Sequence, residues 1–472
     1  MLEQTDVLVV GGGPAGATAA ALLAPQGYRV TVLERERFPR YHIGESLLPV
    51  LDVLGAREAV EAHGFVRKSG AFYGWGGQEW SLGFDEPGRP APYSFQVIRS
   101  QFDQLLLEHA RAQGADVREE TRAGRVTFED GSEDGRSHRA VEASWAGSDS
   151  SEGRIRFGQL IDASGRAGLL AARQLRIRRA HDVFRNVATW SYWRGAAPLA
   201  AAPSGAIGVF SLPDHGWLWA IPLHDGTLSV GLVTDHRSFS HARQAAKGSL
   251  QSVYDQAITR CPRLAGMLAN ARQTTPLKTE RDYSYVSQAF GGPGWFLAGD
   301  AACFLDPLLS TGVHLAMYSG LLAAASISSV LRGDIDEDAA RSFYQQAYRR
   351  AYERLLILVS AFYRIHDGRD TYFRTAQQLS SRDQAPLRLH ESFLNIITGA
   401  EDLHDTQSND VVDTFLHTVR NPRNGQPPQG LAGHGTSDLL PLPTTPQHAA
   451  AGLYLKLHPH PHPHLQRTTE PT

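Results

Sequence analysis

Gly11, Gly13 and Gly16 stand in the order Gly-x-Gly-x-x-Gly between the apolar run "DVLVV" and the small-residue stretch "PAGATAAALLAPQGY". A buried strand, a glycine turn and a helix in that order make a cradle for a dinucleotide pyrophosphate. The first glycine allows the tight turn, the second lets backbone approach the phosphates, and the third lets the helix pack on the strand. The phosphates then face a helix N-terminus, where free amides and the dipole favour negative charge. Glu34 closes the next strand, "RVTVLER", 18 residues after Gly16. A carboxylate there accepts a ribose hydroxyl.

A second group is aromatic. "GWLWAIP", from Gly216 to Pro222, sets two of the chain's 8 tryptophans two residues apart. Period two turns Trp217 and Trp219 to one face of a strand, either as packed core or as the wall of a pocket. The only cysteines, Cys261 and Cys303, are too few for a disulfide framework or a CxxC metal site. They read as buried small hydrophobes of a reducing compartment, and no metal site is expected.

The elements that position these residues follow from hydrophobic patterning. "DVLVV" reads as a strand buried on both faces and, with its helix and "RVTVLER", makes a βαβ unit. "SQFDQLLLEHARAQGADV" reads as an amphipathic helix leading to a strand, and "GRIRFGQLIDASG" as a strand ending in a glycine turn. From 70 to 95 and from 186 to 234, aromatic and polar residues alternate between Gly and Pro punctuation, which predicts antiparallel strands. "VATWSYWRGA", "AIGVFSL", "GWLWAIPL" and "TLSVGLVT" are four of them. "PGWFLAGDAACFLDP" returns to the first domain, and Phe343, Ala347, Ala351, Leu355, Val359 and Phe362 then recur at helical spacing. The fold expected is α/β (α+β), a Rossmann-like dinucleotide domain interrupted by an antiparallel sheet. The first would take in 1–70, 95–180 and 280–345, and the second 71–94 and 181–279. A helical C-terminal region would span 346–420. Residues 421–472, ending "LHPHPHPHLQRTTEPT", read as a disordered tail by their Pro, Gly, Thr and His content.

Across 472 residues, 42% hydrophobic and 20% charged, the net charge is -3. That balance offers no electrostatic footprint for nucleic acid or a membrane surface. No run reaches the roughly 18 apolar residues that span a bilayer, and "GLLAAASISSVL" reads as a packed helix. With no basic n-region or cleavage site before "TDVLVVGGG", a cytoplasmic enzyme is the expectation.

Three segments resemble the hallmarks of the class A flavoprotein monooxygenase fold: Arg99 heading a helix in "VIRSQFDQLLLEHA", "LIDASG" around Asp162 to Gly165, and Asp300 in "GWFLAGDAA". The resemblance covers roughly residues 5–360 and implies FAD, with Asp300 on the ribityl hydroxyls. Within that fold, Trp217, Trp219, Ile221 and Pro222 match the W-x-W-x-I-P motif of the flavin-dependent halogenases. In that family the motif lies beside the passage from flavin to substrate. "RFPRYHIGESLLP" resembles the family's flavin-lining segment, "FVRKSGAFYGW" places Lys68 at its catalytic lysine, and "DPLLSTGVHLA" resembles its halide segment.

The resemblance implies a set of roles. Gly11, Gly13, Pro14, Ala15, Gly16, Glu34, Arg35, Gly44, Glu45, Ser46, Arg99, Asp300, Gly312 and Val313 would bind FAD, and Thr311 with Gly312 would hold chloride or bromide. Reduced FAD, O2 and halide would give hypohalous acid, which Lys68 would hydrogen-bond or take up as a chloramine before an electron-rich ring attacks. A separate flavin reductase would supply the reduced FAD. Tryptophan halogenases carry glutamate before the Ser-Thr-Gly triplet, whereas this chain has Leu309. A phenol stabilises its own cation, so the resemblance points to a phenolic ring, free or tethered to an acyl or peptidyl carrier protein. The alternative within the fold is an aromatic monooxygenase or a geranylgeranyl-reductase-like oxidoreductase.

Overall fold

The computed structural model describes residues 2–39, 48–75, 78–83, 93–129, 138–213, 216–308, 310–367, 450–451, 453–456 and 462–468. At the centre of the first sheet, Leu2–Val10 pairs in parallel with Glu152–Asp162 on one side and Val30–Leu33 on the other. Asp116–Arg118 and Trp295–Leu297 extend it in parallel at its two sides. Val7, Leu8, Val9, Leu160, Ile161 and Leu297 are wholly buried, as a sheet covered on both faces requires. Thr121–Phe128 and Ala140–Gly147 add an antiparallel ribbon to Glu152–Asp162.

Among the described residues the second sheet has nine strands. Arg178–Arg194 pairs antiparallel with Lys278–Ser287 on one side and Thr227–Asp235 on the other. Gly216–Pro222 and Ile207–Leu212 continue the antiparallel order. Gly70–Trp75, from the earlier stretch, then joins Ile207–Leu212 in parallel. The two separated aromatic-polar stretches of sequence therefore meet in one sheet. The expected α/β class with a parallel and a mainly antiparallel sheet is the observed architecture.

The helix Pro14–Leu23 is buried along its whole length, begins with Pro at its first turn, and packs on Gly312–Leu331. Gly312–Leu331 is 20 residues long with a mean hydropathy of 1.4, enough by length and composition to cross a bilayer. Serines interrupt its apolar run, so in sequence it falls short of an unbroken spanning stretch. In the structure 94% of that stretch is buried inside the protein, so its apolar surface is already covered. Glu337–Asp367 is one 31-residue helix that buries Phe343, Ala347, Ala351, Leu355 and Val359. It starts well before residue 346 and is bound to the parallel sheet, with the Tyr344 hydroxyl donating to the Leu297 carbonyl at 2.6 Å.

Part of the expected disordered tail is folded. Leu453–Lys456 and His464–Arg467 form an antiparallel hairpin, and Leu453, Leu455 and Leu465 are buried. The Leu465 amide donates to Ser329 Oγ at 2.8 Å, which fixes the hairpin on Gly312–Leu331. Composition concealed these few alternating apolar residues among the His-Pro repeats. Of the expected helical region 346–420, residues 368–420 lie outside the described residues.

Candidate active site

A cavity of about 480 Å³ runs between the two sheets and takes its wall from both. Val10 ends the first strand beside Gly11, whose φ of +104° disfavours any side chain. A Cβ on Gly11 would overlap the Ala163 carbonyl, and one on Gly16 would overlap the Gly11 carbonyl. Gly11, Gly13, Pro14 and Ala15 line the cavity, while Gly16 works from behind by letting the helix close on the turn. The turn is thus a bare backbone surface at a helix start, which suits a pyrophosphate.

Glu34 is buried on the same wall. Its carboxylate accepts the Gly12 amide at 2.7 Å and the Glu36 amide at 2.9 Å. These bonds orient the Glu34 carboxylate on the cavity wall. Arg35 lines the cavity and pairs with Glu36 at 3.2 Å. Arg99 also lines it and is forked onto buried Asp103 at 2.7 and 2.9 Å, so its charge is already balanced. Asp300 stands on the wall in the turn Gly299–Ala301. Burial raises its carboxyl pKa, against the lowering pull of Arg166, Arg99 and Arg178. Gly44, Glu45 and Ser46 lie outside the described residues.

The antiparallel sheet supplies the remaining wall. Trp217, Trp219 and Ile221 all line the cavity, as period two requires, and Pro222 ends the strand half-buried. The two indole centroids are 6.0 Å apart at 52°. Trp219 lies across the next strand, where Gly231 leaves room for its ring; a Cβ there would overlap the indole. Its Nε1 donates to Ser229 Oγ at 3.1 Å. Gly312 and Val313 open the buried helix at the cavity wall, and Ser310 beside them adopts a φ of +55°. Thr311 is buried at the N-cap and its side chain makes no capping bond. Leu309 lies outside the described residues. Lys68 is buried at the end of Val66–Lys68, paired with Ser94, and is not on the wall of this cavity.

Sequence reasoning missed several residues of the site. The Tyr285 hydroxyl donates to the Asp300 carbonyl at 2.7 Å, and Tyr348 to the Gly299 carbonyl at 3.2 Å. Both tyrosines fix the turn that presents Asp300. Asp162 caps the turn after its strand by accepting the Ser164 and Leu170 amides at 3.1 and 2.7 Å. Asp306 is buried on the cavity wall and accepts from Asn186 and Tyr363. The sequence held a signal for Asp162, in the quoted "LIDASG" turn, and for Asp306, which opens the quoted "DPLLSTGVHLA" segment.

A backbone cradle at a helix start, a fixed acid at the second strand and a wall shared with a second sheet define a dinucleotide-dependent oxidoreductase. The chain matches the tryptophan halogenase family model over residues 6–90 and 81–414. It is 44% identical over 417 residues to tryptophan 2-halogenase of Chondromyces crocatus, covering 86% of this chain and 78% of that protein. It is 39% identical to the sulochrin halogenase of Aspergillus terreus, covering 77% and 70% respectively. The structure of the myxobacterial chondrochloren halogenase, an FAD-dependent enzyme, superposes with a TM-score of 0.71 at 33% identity over 88% of this chain and 96% of that one. The chain belongs to the flavin-dependent halogenases.

Membership makes it an FAD enzyme that uses halide and O2. Such enzymes typically draw on a separate flavin reductase and act on small aromatic substrates. The cavity suits FAD on its own evidence: the glycine turn admits a phosphate, and Glu34 and Asp300 offer acceptors to hydroxyls. Arg122 and Arg173 add two cationic side chains to the wall.

Proposed function

We propose that this enzyme installs chlorine or bromine on a phenolic or related electron-rich ring by way of hypohalous acid and Lys68. The observation that carries the reading is one cavity walled by both the glycine cradle and the Trp217–Trp219 pair. Reduced FAD with O2 supplies the oxidising power when bound. The chain's residues do the rest. Gly11 and Gly13 leave bare backbone for the pyrophosphate to approach, Glu34 and Asp300 accept from ribose and ribityl hydroxyls, and Arg35 and Arg99 line the same cofactor cavity. Thr311 and Gly312 hold the halide at the start of the helix Gly312–Leu331, where amides without intrahelical partners favour an anion. The Trp217 and Trp219 indoles keep the ring to be halogenated out of the flavin cavity.

Lys68 receives the hypohalous acid. Its ammonium donates a hydrogen bond to the oxidant, or its neutral amine carries chlorine as a chloramine. Lys68 lies off the cavity wall, so in this reading a small oxidant leaves the cavity to reach it. Leu309 in place of a glutamate supports a ring that stabilises its own cation, as a phenol does through its oxygen. The name of the 44% identical relative favours a second reading, an indole halogenated next to its nitrogen, where that lone pair does the same work.

The test is turnover with reduced FAD, O2 and chloride or bromide on a panel of phenols and tryptophan, free and carrier-bound, read by mass shift. Phenol products without tryptophan products support the first reading, and efficient tryptophan chlorination overturns it. The chain has one complete dinucleotide fingerprint, which FAD would use, and this supports a separate reductase as the source of electrons. Enzyme with FAD alone should then leave NADH and NADPH unoxidised, and adding a reductase should start product formation. Rapid substrate-stimulated NADPH consumption without a reductase would overturn that assignment.

A further inference from the structure

Asp306 is a buried carboxylate for which the proposed chemistry has no role. It stands on the cavity wall close in sequence to Ser310, Gly312 and Val313, which share that wall. Its three hydrogen-bond donors are all neutral. Asn186 Nδ2 donates to Oδ2 at 2.8 Å, the Tyr363 hydroxyl donates to Oδ2 at 3.1 Å, and the Leu308 amide donates to Oδ1 at 2.9 Å. The Tyr363 hydroxyl in turn accepts Trp217 Nε1 at 2.9 Å. One carboxylate thus braces both the segment leading to Thr311 and the first indole of the motif.

No Arg, Lys or His pairs with Asp306 among the described residues. Of the charged groups on the same wall, Arg166 is paired with Glu280 at 2.6 Å and Arg99 with Asp103. Asp300 is a second carboxylate. Glu34, Arg35, Arg122 and Arg173 belong to the nucleotide strands and the turn Leu169–Gln174. A charge on Asp306 therefore acts on its surroundings without a counter-ion among the described residues, in a site where Coulomb effects exceed those in water.

We propose that Asp306 controls halide affinity by its protonation, repelling the anion at Thr311–Gly312 when ionised and admitting it when neutral. The inference rests on the halide assignment above. Burial pushes the Asp306 carboxyl up to about 6, opposed by its three hydrogen bonds, so the switch falls within a usable range. The sign follows directly. Below that value Asp306 is neutral and halide binds well; as pH rises through it the carboxylate ionises and halide binding weakens. By linkage, halide binding raises the Asp306 pKa by the same factor and draws in a proton. The one bond made is the carboxyl O–H of Asp306, with a proton that the solvent gives up as the anion enters.

The experiment uses the full chain loaded with oxidised FAD. Chloride affinity is read by its competition with iodide quenching of tryptophan fluorescence, between about pH 5 and about pH 8. The wild-type affinity should fall about tenfold across that range, the equivalent of one unit of pKa coupling. Asp306→Asn should bind as tightly as the low-pH wild type and lose the pH dependence. Tyr363→Phe, which keeps the charge but releases Trp217, should retain it. A second measurement needs no variant: chloride added to weakly buffered wild-type protein near pH 6.5 should draw protons from solution. Absence of uptake, or an Asp306→Asn profile that keeps the tenfold slope, overturns the proposal. Thr311→Val separates the two assignments. If it leaves chloride affinity unchanged, the halide site falls and this inference with it. If it weakens chloride while Asp306→Asn alters nothing, the inference about Asp306 falls alone.

Discussion

The two walls of the cavity are held by different kinds of bond. Around the glycine cradle the donors are backbone amides close in sequence: Gly11 donates to the Leu33 carbonyl at 2.9 Å, and the Gly12 and Glu36 amides fix Glu34. All of them lie inside the first βαβ unit. On the tryptophan side the contacts join side chains from distant segments. Trp217 meets Tyr363 across 146 positions, and Asn186 meets Asp306 across 120. The glycine cradle of the first wall is built by one motif; the second wall exists only after the sheet, the loop at 306 and the long helix have come together.

That contrast predicts that the two walls fail separately. The largest effect should come from Lys68→Ala. Halogenation should fall by roughly a thousandfold or more, as when a group that carries the reacting atom is removed. Oxygen-driven consumption of reduced FAD should continue, because Lys68 is not on the cavity wall. Product formation and oxygen uptake, measured in parallel, decide it. Near-wild-type product at saturating substrate would remove Lys68 from the chemistry.

The next effect belongs to the cradle. Gly11→Ala forces a Cβ into the Ala163 carbonyl at a φ of +104°. FAD affinity should drop roughly a hundredfold, from the strain of a non-glycine residue at such a φ together with the displaced phosphate turn. Equilibrium titration of FAD fluorescence reads this. Circular dichroism should show the antiparallel sheet intact. Unchanged FAD affinity would mean the turn is not the phosphate site.

These two predictions bear on how much the sequence disclosed. The cradle, the parallel sheet and the period-two tryptophans were legible because each depends on residues a few positions apart. Trp217 and Trp219 both reached the cavity for that reason. Tyr285, Tyr348 and Tyr363 were not legible, since a tyrosine on a core strand or helix gives no sign of which carbonyl or indole its hydroxyl will meet. The hairpin of Leu453–Lys456 and His464–Arg467 was masked by the composition around it, although its buried leucines alternate. Arg99 read as a cofactor contact, and the structure adds the buried Asp103 that shares its charge, four residues on along the same helix.

A smaller effect is expected where the tryptophan wall is crowded. Gly231→Ala puts a Cβ into the Trp219 indole, and overpacking of this kind costs about 1–3 kcal/mol. The ring should shift and widen the passage. FAD affinity should stay at the wild-type value, while more of the reduced FAD is consumed without halogenating the substrate. Thermal unfolding together with the ratio of product to oxygen consumed checks it. A loss of FAD affinity instead would show that the two walls are mechanically coupled and would weaken the contrast.

The smallest effect tests whether the indoles are held by packing or by hydrogen bonds. Trp219 stands opposite Gly231, and Ser229 is two residues away on the same strand, so the side chains share a face diagonally. Ser229 is buried, and its Oγ accepts Trp219 Nε1 at 3.1 Å. Ser229→Ala leaves a buried indole N–H without that acceptor, which costs about 1 kcal/mol by ordinary hydrogen-bond accounting. The ring itself stays confined by Trp190 and Trp217, with centroids 6.4 and 6.0 Å away. Stability should therefore fall slightly while the ratio of product to oxygen consumed stays the same. Ser229→Thr, which restores the hydroxyl, should recover the lost stability. If Ser229→Ala instead uncouples the reaction as strongly as Gly231→Ala, the hydrogen bond sets the position of Trp219 and the packing around it does not.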